Sequence, residues 1–375
     1  MHKAVAIVAL AVALAFGLAP APIALSSGAA APDGLAARLA RPVGERVREL
    51  GVPGAVVGVW RGSEPPWIAA FGQADAAARR PFTPTDHVRI ASITKVFVGT
   101  VVLQLADEGK LALEDPVSRY VTDVPNGDHL TLRRLGNMTS GLFDYLEDDG
   151  FRRMLDRSPH KRWTPRELLA ISFARPPYFA PGDGYHYSNT NTILLGLVVE
   201  KVTGHPLADE IRARVIDRLG LSDTSFPDGP AIPAPYARGY MYGTAEGFFT
   251  PKPAEVPLRD VTGVDPSYAW AAGQIISTLG DLHRFAGAAG AGTLVSTRAQ
   301  QERLRWVPTG GAQYGFAIMK VGDAVGHNGQ MPGYTTFMGY VAGQDVTFVV
   351  LVNLTAARSG EQPADEIAIA ILKHL

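Results

Sequence analysis

The stretch Ser92-Ile-Thr-Lys-Val-Phe-Val-Gly-Thr-Val-Val-Leu-Gln-Leu-Ala-Asp-Glu108 decides how the rest of the chain is read. Val96, Phe97, Val101, Leu103 and Leu105 leave it apolar on most sides, which predicts a buried helix over 92–108. Gly109 stands where a C-terminal cap is expected. Positions i and i+3 share a helix face, so Lys95 can reach the Ser92 hydroxyl. A lysine among apolar neighbours loses solvation, which lowers its pKa and suits it to act as a base.

Outward from this helix, Gly54–Trp60 and Trp67–Phe71 read as strands divided by a Gly/Pro-containing turn. On the far side, Thr192–Thr203 reads as a second apolar helix with Gly204 just past its end. Residues 228–259 are rich in Pro, Gly and Tyr and lack a period. Their aromatics (Tyr236, Tyr240, Tyr242, Phe248, Phe249) predict an ordered loop or lid. Gly287–Gly292 reads as a small flexible turn. Tyr314–Lys320, Tyr334–Tyr340 and Val346–Leu351 return to strand composition, and 364–375 to an amphipathic helix. The expectation is an α/β (α+β) fold, with one antiparallel sheet built from both chain ends, flanked by helices, and a mostly helical part inserted. The sheet part is placed at about 31–115 and 290–375, the helical part at about 116–289.

The first residues differ in kind. Lys3 is followed by an uncharged apolar run, Ala4–Leu18, and then by small residues through Ala31. This predicts a secretory signal peptide over 1–30, a secreted mature protein and no stable membrane anchor. The formal net charge of −1 gives no reason to expect nucleic acid as a partner. With no cysteine, thiolate metal sites and a cysteine nucleophile are excluded. The nine histidines lack metal-ligand spacing, so no metal is expected, and with neither a dinucleotide fingerprint nor a phosphate loop no cofactor is expected.

Three short patterns carry the candidate chemistry. Ser92 and Lys95 supply a nucleophile and a base, and the N–H of Ser92, at a helix start, can serve an oxyanion hole. Ser158-Pro-His-Lys161 has the same spacing but stands in a charged, Pro-containing stretch that reads as a loop. Tyr187-Ser-Asn189 follows Pro181-Gly-Asp-Gly184, which places it on a loop rim. There a phenol near an ammonium can have its pKa lowered and act as general base, and Asn189 can hold both Lys95 and a substrate carbonyl. His327-Asn-Gly329 suits an edge strand beside a cleft. Gly329 would admit a substrate backbone, and His327 would carry partial charge or donate to a substrate carboxylate. Lys320-Val-Gly322 competes for that role, although Gly322-Asp323 reads as a turn.

Together these patterns resemble the secreted serine D-alanyl-D-alanine carboxypeptidases of the penicillin-recognising superfamily, which also holds the class C β-lactamases. The resemblance spans roughly 45–375 and takes in Leu103–Leu111, Thr139-Ser-Gly-Leu142, Tyr187-Ser-Asn-Thr-Asn191, Glu200-Lys-Val-Thr-Gly204, Tyr268-Ala-Trp-Ala-Ala-Gly273 and Gly326–Tyr334. It implies a five-stranded antiparallel sheet with helices on both faces, plus a helical part. It also implies acylation of Ser92, proton transfer by Lys95 and Tyr187, and substrate positioning by Asn189. Backbone donors at Ser92 and Gln330 would form the oxyanion hole. His327, Asn328 and Gly329 would line the strand side, and Trp270 would wall the pocket. The chain departs at Asn328, where these carboxypeptidases usually carry Thr. It also has only Lys320 near the place of a carboxylate-binding Arg. The implied function is a penicillin-sensitive, monomeric carboxypeptidase acting on peptidoglycan stem peptides, with β-lactams as further ligands. Esterase, D-aminopeptidase, β-lactamase and a non-catalytic penicillin-binding sensor are the alternatives.

Overall fold

The computed structural model describes residues 23–24, 34–247 and 251–375. The expected leader, apart from Ile23–Ala24, and the lid aromatics Phe248 and Phe249 lie outside the described residues. Among those described, no helix is long and apolar enough to cross a membrane.

Five strands reach seven residues or more among the described residues, and with one shorter strand they frame the site. In chain order we label them β1 (Gly54–Arg61), β2 (Trp67–Asp75), β3 (Met319–Val321), β4 (Ala324–Met331), β5 (Tyr334–Val341) and β6 (Val346–Val352). They form one antiparallel sheet in the order β2-β1-β6-β5-β4-β3. Further two-residue strands extend both edges. The expected five long strands are therefore present, in a sheet that runs wider. β6 joins the two chain ends by pairing with β1 from Val346↔Arg61 to Val352↔Ala55.

Helices cover both faces, which explains why β6 reads as a near-continuous apolar run, Val-Thr-Phe-Val-Val-Leu-Val, and is buried throughout. Val57, Phe337, Phe348 and Val350 face α1 (Leu35–Leu50) and α5 (Pro363–Leu372). The alternate residues Val56, Met338, Val349 and Leu351 face the opposite core, which holds α2 (Thr94–Asp107), α3 (Asn189–Thr203) and α4 (Leu279–Ala291). Every residue of α2 from Thr94 to Leu105 is buried, as expected of a helix apolar on all sides.

Three sequence expectations need correction. Gly287–Gly292 is not a free turn, because alanines carry α4 through it to Gly292, whose φ of 76° ends the helix. A Cβ on Gly290 would stand 2.6 Å from the Tyr340 ring, so glycine lets α4 lie close on β5. The strand expected over 314–320 is broken between Gln313–Tyr314 and β3. Ala317 takes φ 55°, and the N–H groups of Phe316 and Ala317 donate to Arg303 and Gly136 instead of to the sheet. The segment 228–259 is partly regular: Tyr240–Tyr242 pairs with Leu258–Asp260 as a small hairpin.

Candidate active site

The turn Ala91–Ile93 feeds directly into α2, and Ala91 is held at φ 48°, a costly value for a residue with a Cβ. Surrounding bonds impose it: Ile90 N–H donates to Ile275 O at 2.9 Å, and Thr336 Oγ1 donates to Ile90 O at 2.9 Å. Ser92 is thereby presented to a cavity of about 480 Å³. Its N–H lies in the first turn, where backbone donors lack intrahelical acceptors.

Lys95 is fully buried. Its Nζ donates to Ser92 Oγ at 2.9 Å, Asn189 Oδ1 at 2.7 Å and Ala272 O at 2.8 Å. Burial lowers its pKa to about 7, against a smaller upward pull from the Asp144 charge. A lysine that gives up its proton near neutrality, in contact with a hydroxyl, can deprotonate that hydroxyl.

Asn189 sits in the first turn of α3, three residues earlier than the helix start expected from the pattern, so it is held by a helix and not by a loop rim. Its Nδ2 donates to Asp144 Oδ2 at 2.9 Å. Burial raises Asp144 to about 6, opposed by the Leu146 N–H and Asn189 bonds. Asp144 anchors the chain of bonds that ends on Ser92. The sequence reading missed it because a lone Asp in an unpatterned loop, two residues past Leu142, has no spacing signal.

Tyr187 lines the cavity, with Lys95 Nζ 5.0 Å from its ring centre. The expectation of a lowered phenol pKa is overturned. Burial pushes it well up, outweighing the Ser92 hydrogen bond that pulls it down. Tyr187 thus rests as a neutral phenol able to donate a proton.

The strand pattern is assembled differently from the expectation. Residues beyond Gly326 on β4 pair only with β5, so this half of the strand borders the cavity as an edge. His327, however, is fully buried. Its Nε2 accepts from Tyr314 Oη at 2.9 Å, and its Nδ1 donates to Asn328 O at 2.6 Å. Burial, then the Lys95 charge, lowers its pKa to about 3, so it supplies no cation and braces the wall from behind. Gly329 makes room for the protein itself, not for substrate, since a Cβ there would lie 2.3 Å from Ile90 O and 2.5 Å from Thr336 Oγ1. Gly329→Ala is therefore expected to displace the Ser92 turn. It should cost about 1–3 kcal/mol in a thermal melt and slow acylation.

Asn328 and Gln330 line the cavity, and Gln330 Nε2 is tied to Thr355 O at 2.8 Å. Lys320 does not line it; its neighbour Met319 does, as alternation along β3 requires. Trp270 does not line it either. Its ring packs on α3, 2.8 Å from where a Gly196 Cβ would stand. Other cavity residues unmarked by the sequence are Glu147, Arg152 and Tyr314.

Residues 38–372 match the beta-lactamase family model, and the chain belongs to that family of serine hydrolases. It is 28% identical to penicillin-binding protein 4* of Bacillus subtilis over 322 residues, covering 81% of this chain and 68% of that protein. It is 35% identical to the esterase EstB of Burkholderia gladioli over 247 residues, covering 63% of this chain and 62% of the esterase. Its structure matches a D-stereospecific amidohydrolase from a Streptomyces species with a TM-score of 0.78 at 30% identity, covering 88% of this chain and 97% of that one.

Proposed function

We propose that this protein is a D-stereospecific amidase or aminopeptidase that works through an acyl-enzyme on Ser92. Neutral Lys95 takes the Ser92 proton as Oγ attacks the substrate carbonyl. The Ser92 and Gln330 N–H groups stabilise the oxyanion, and Tyr187 hands a proton to the departing amine. Water then resolves the ester by the reverse transfers, with Asn189 and Asp144 holding Lys95 in place.

The observation that carries the substrate class is the strand wall. It presents Met319 and Asn328, no cation, and so lacks a clamp for a substrate carboxylate. Asp144 and the exposed Glu147 line the same cavity and suit a free ammonium. The likeness to the Streptomyces amidohydrolase supports this reading. A D-alanyl-D-alanine carboxypeptidase is the second reading, favoured by Arg152 on the cavity wall and by the likeness to penicillin-binding protein 4*. In either case the natural substrates are D-amino acid derivatives such as those released from peptidoglycan, met outside the cell after export.

Intact-mass spectrometry over time, with penicillin, D-alanine amide, D-alanyl-D-alanine and a p-nitrophenyl ester, tests this. The expected result is an adduct on Ser92 and fastest turnover of D-alanine amide. Turnover of D-alanyl-D-alanine alone would establish the second reading, and no adduct with any of the four would refute both.

A further inference from the structure

Asn328 reaches away from the strand to a second element. Its Nδ2 donates to Asp365 Oδ2 at 2.8 Å, in the first turn of α5. The other oxygen, Asp365 Oδ1, is shut off from solvent and has no hydrogen-bond partner. An ionised carboxylate only accepts, so it fixes which end of the Asn328 amide turns toward it. The end left over is Asn328 Oδ1. It has no partner among the described residues and is not a closed-off atom, and Asn328 lines the cavity. An amide oxygen attracts an N–H and repels a carboxylate.

We infer that Asp365 sets the polarity of the strand side of the site: by holding Asn328 Nδ2, it makes Asn328 an acceptor toward substrate. The site therefore selects substrates ending in an amide over the same substrates ending in a carboxylate. Asp365 is a positioning residue that never touches substrate. The inference rests on the reading of the protein as a Ser92 hydrolase and names what its leaving-group side recognises.

This polarity is reversible. A protonated Asp365 would donate to Asn328 Oδ1, the amide would turn over, and Nδ2 would face the cavity as a donor suited to carboxylates. Burial raises Asp365 to about 6, the Asn328 bond opposes this and the Glu366 charge adds to it. Arg46 on α1 is engaged with Glu49, Glu361 and Glu366. β4 contributes Asn328, and β5 and β6 turn Phe337, Phe348 and Val350 toward α5. Asp365 is thus ionised above pH about 6, giving the acceptor state, and protonated below it, giving the donor state.

The test uses two matched dipeptides, D-alanyl-D-alanine and its C-terminal methylamide. Well above the Asp365 transition, wild-type protein is expected to favour the methylamide in kcat/KM by about tenfold or more. The preference should shrink as pH falls through about 6. Lys95 and Asp144 also titrate in this range, but they act on acylation of both dipeptides and largely cancel in the ratio. Asp365→Asn, which can donate or accept, should bring the ratio near unity and remove its pH dependence. If that variant does not fold, the wild-type pH series decides alone. If neither dipeptide is turned over, the dissociation constants of D-alanine and D-alanine methylamide on Ser92→Ala, read by calorimetry across pH, report the same polarity. A wild-type ratio that does not change with pH, or an Asp365→Asn ratio equal to wild type, would overturn the inference while leaving the Ser92 chemistry intact.

Discussion

Ser92→Ala is expected to give a folded protein that takes no penicillin adduct and loses kcat/KM by about 10⁴-fold or more. The size follows from the geometry. Ser92 Oγ is the hydroxyl held against Lys95 at the cavity, and no cysteine exists to replace it. The fold should tolerate the change. Lys95 Nζ keeps its bonds to Asn189 Oδ1 and Ala272 O, so only one of its three acceptors is lost. A melting curve should shift by no more than about 1 kcal/mol equivalent. An adduct of wild-type stoichiometry in this variant would place the nucleophile elsewhere.

The second large effect concerns the base. For wild-type protein, kcat/KM should rise with pH through about 7, because only neutral Lys95 can accept the Ser92 proton and burial sets that transition. Below that pH the ammonium form dominates and acylation slows. Lys95→Met keeps the volume but has no proton acceptor. It should lower kcat/KM by about 10²–10⁴-fold and erase the acid limb. Stopped-flow acylation across pH measures both. An acid limb that survives in Lys95→Met would assign that titration to another group, with Asp144 the next to examine.

The sequence displayed the parts of this site that rest on local rules. Ser92 and Lys95 stand one helical turn apart on a helix whose apolar character is visible in the residues themselves, and Lys95 is buried as that character requires. The strands at both chain ends are readable from β-branched runs, and their union in one antiparallel sheet follows from layer logic; that β6 and β1 make the join is seen only in the structure. What was not legible depends on tertiary contact. Gly329 looked like an opening for substrate, yet it accommodates Ile90. His327 looked like a candidate cation, yet desolvation keeps it neutral. Lys320 looked like a candidate substrate contact, yet its neighbour Met319 is the residue of β3 that lines the cavity. Asp144 and Asp365 carry no spacing signal at all. Each holds an amide, Asn189 or Asn328, from a distant part of the chain.

The pairing of β1 with β6 also has a bearing on synthesis. Residues 55–61 lie against 346–352, so the open edge of β1 has no strand partner until nearly the whole chain has been made. The closure entropy of so long a loop must be met before these contacts form, which slows folding and leaves an apolar strand edge uncovered meanwhile. A nascent chain of this kind stays open until its last strands arrive. Ribosome-bound fragments ending before residue 346 should therefore remain protease-sensitive across β1 and β2, and protection should appear only once β6 is available.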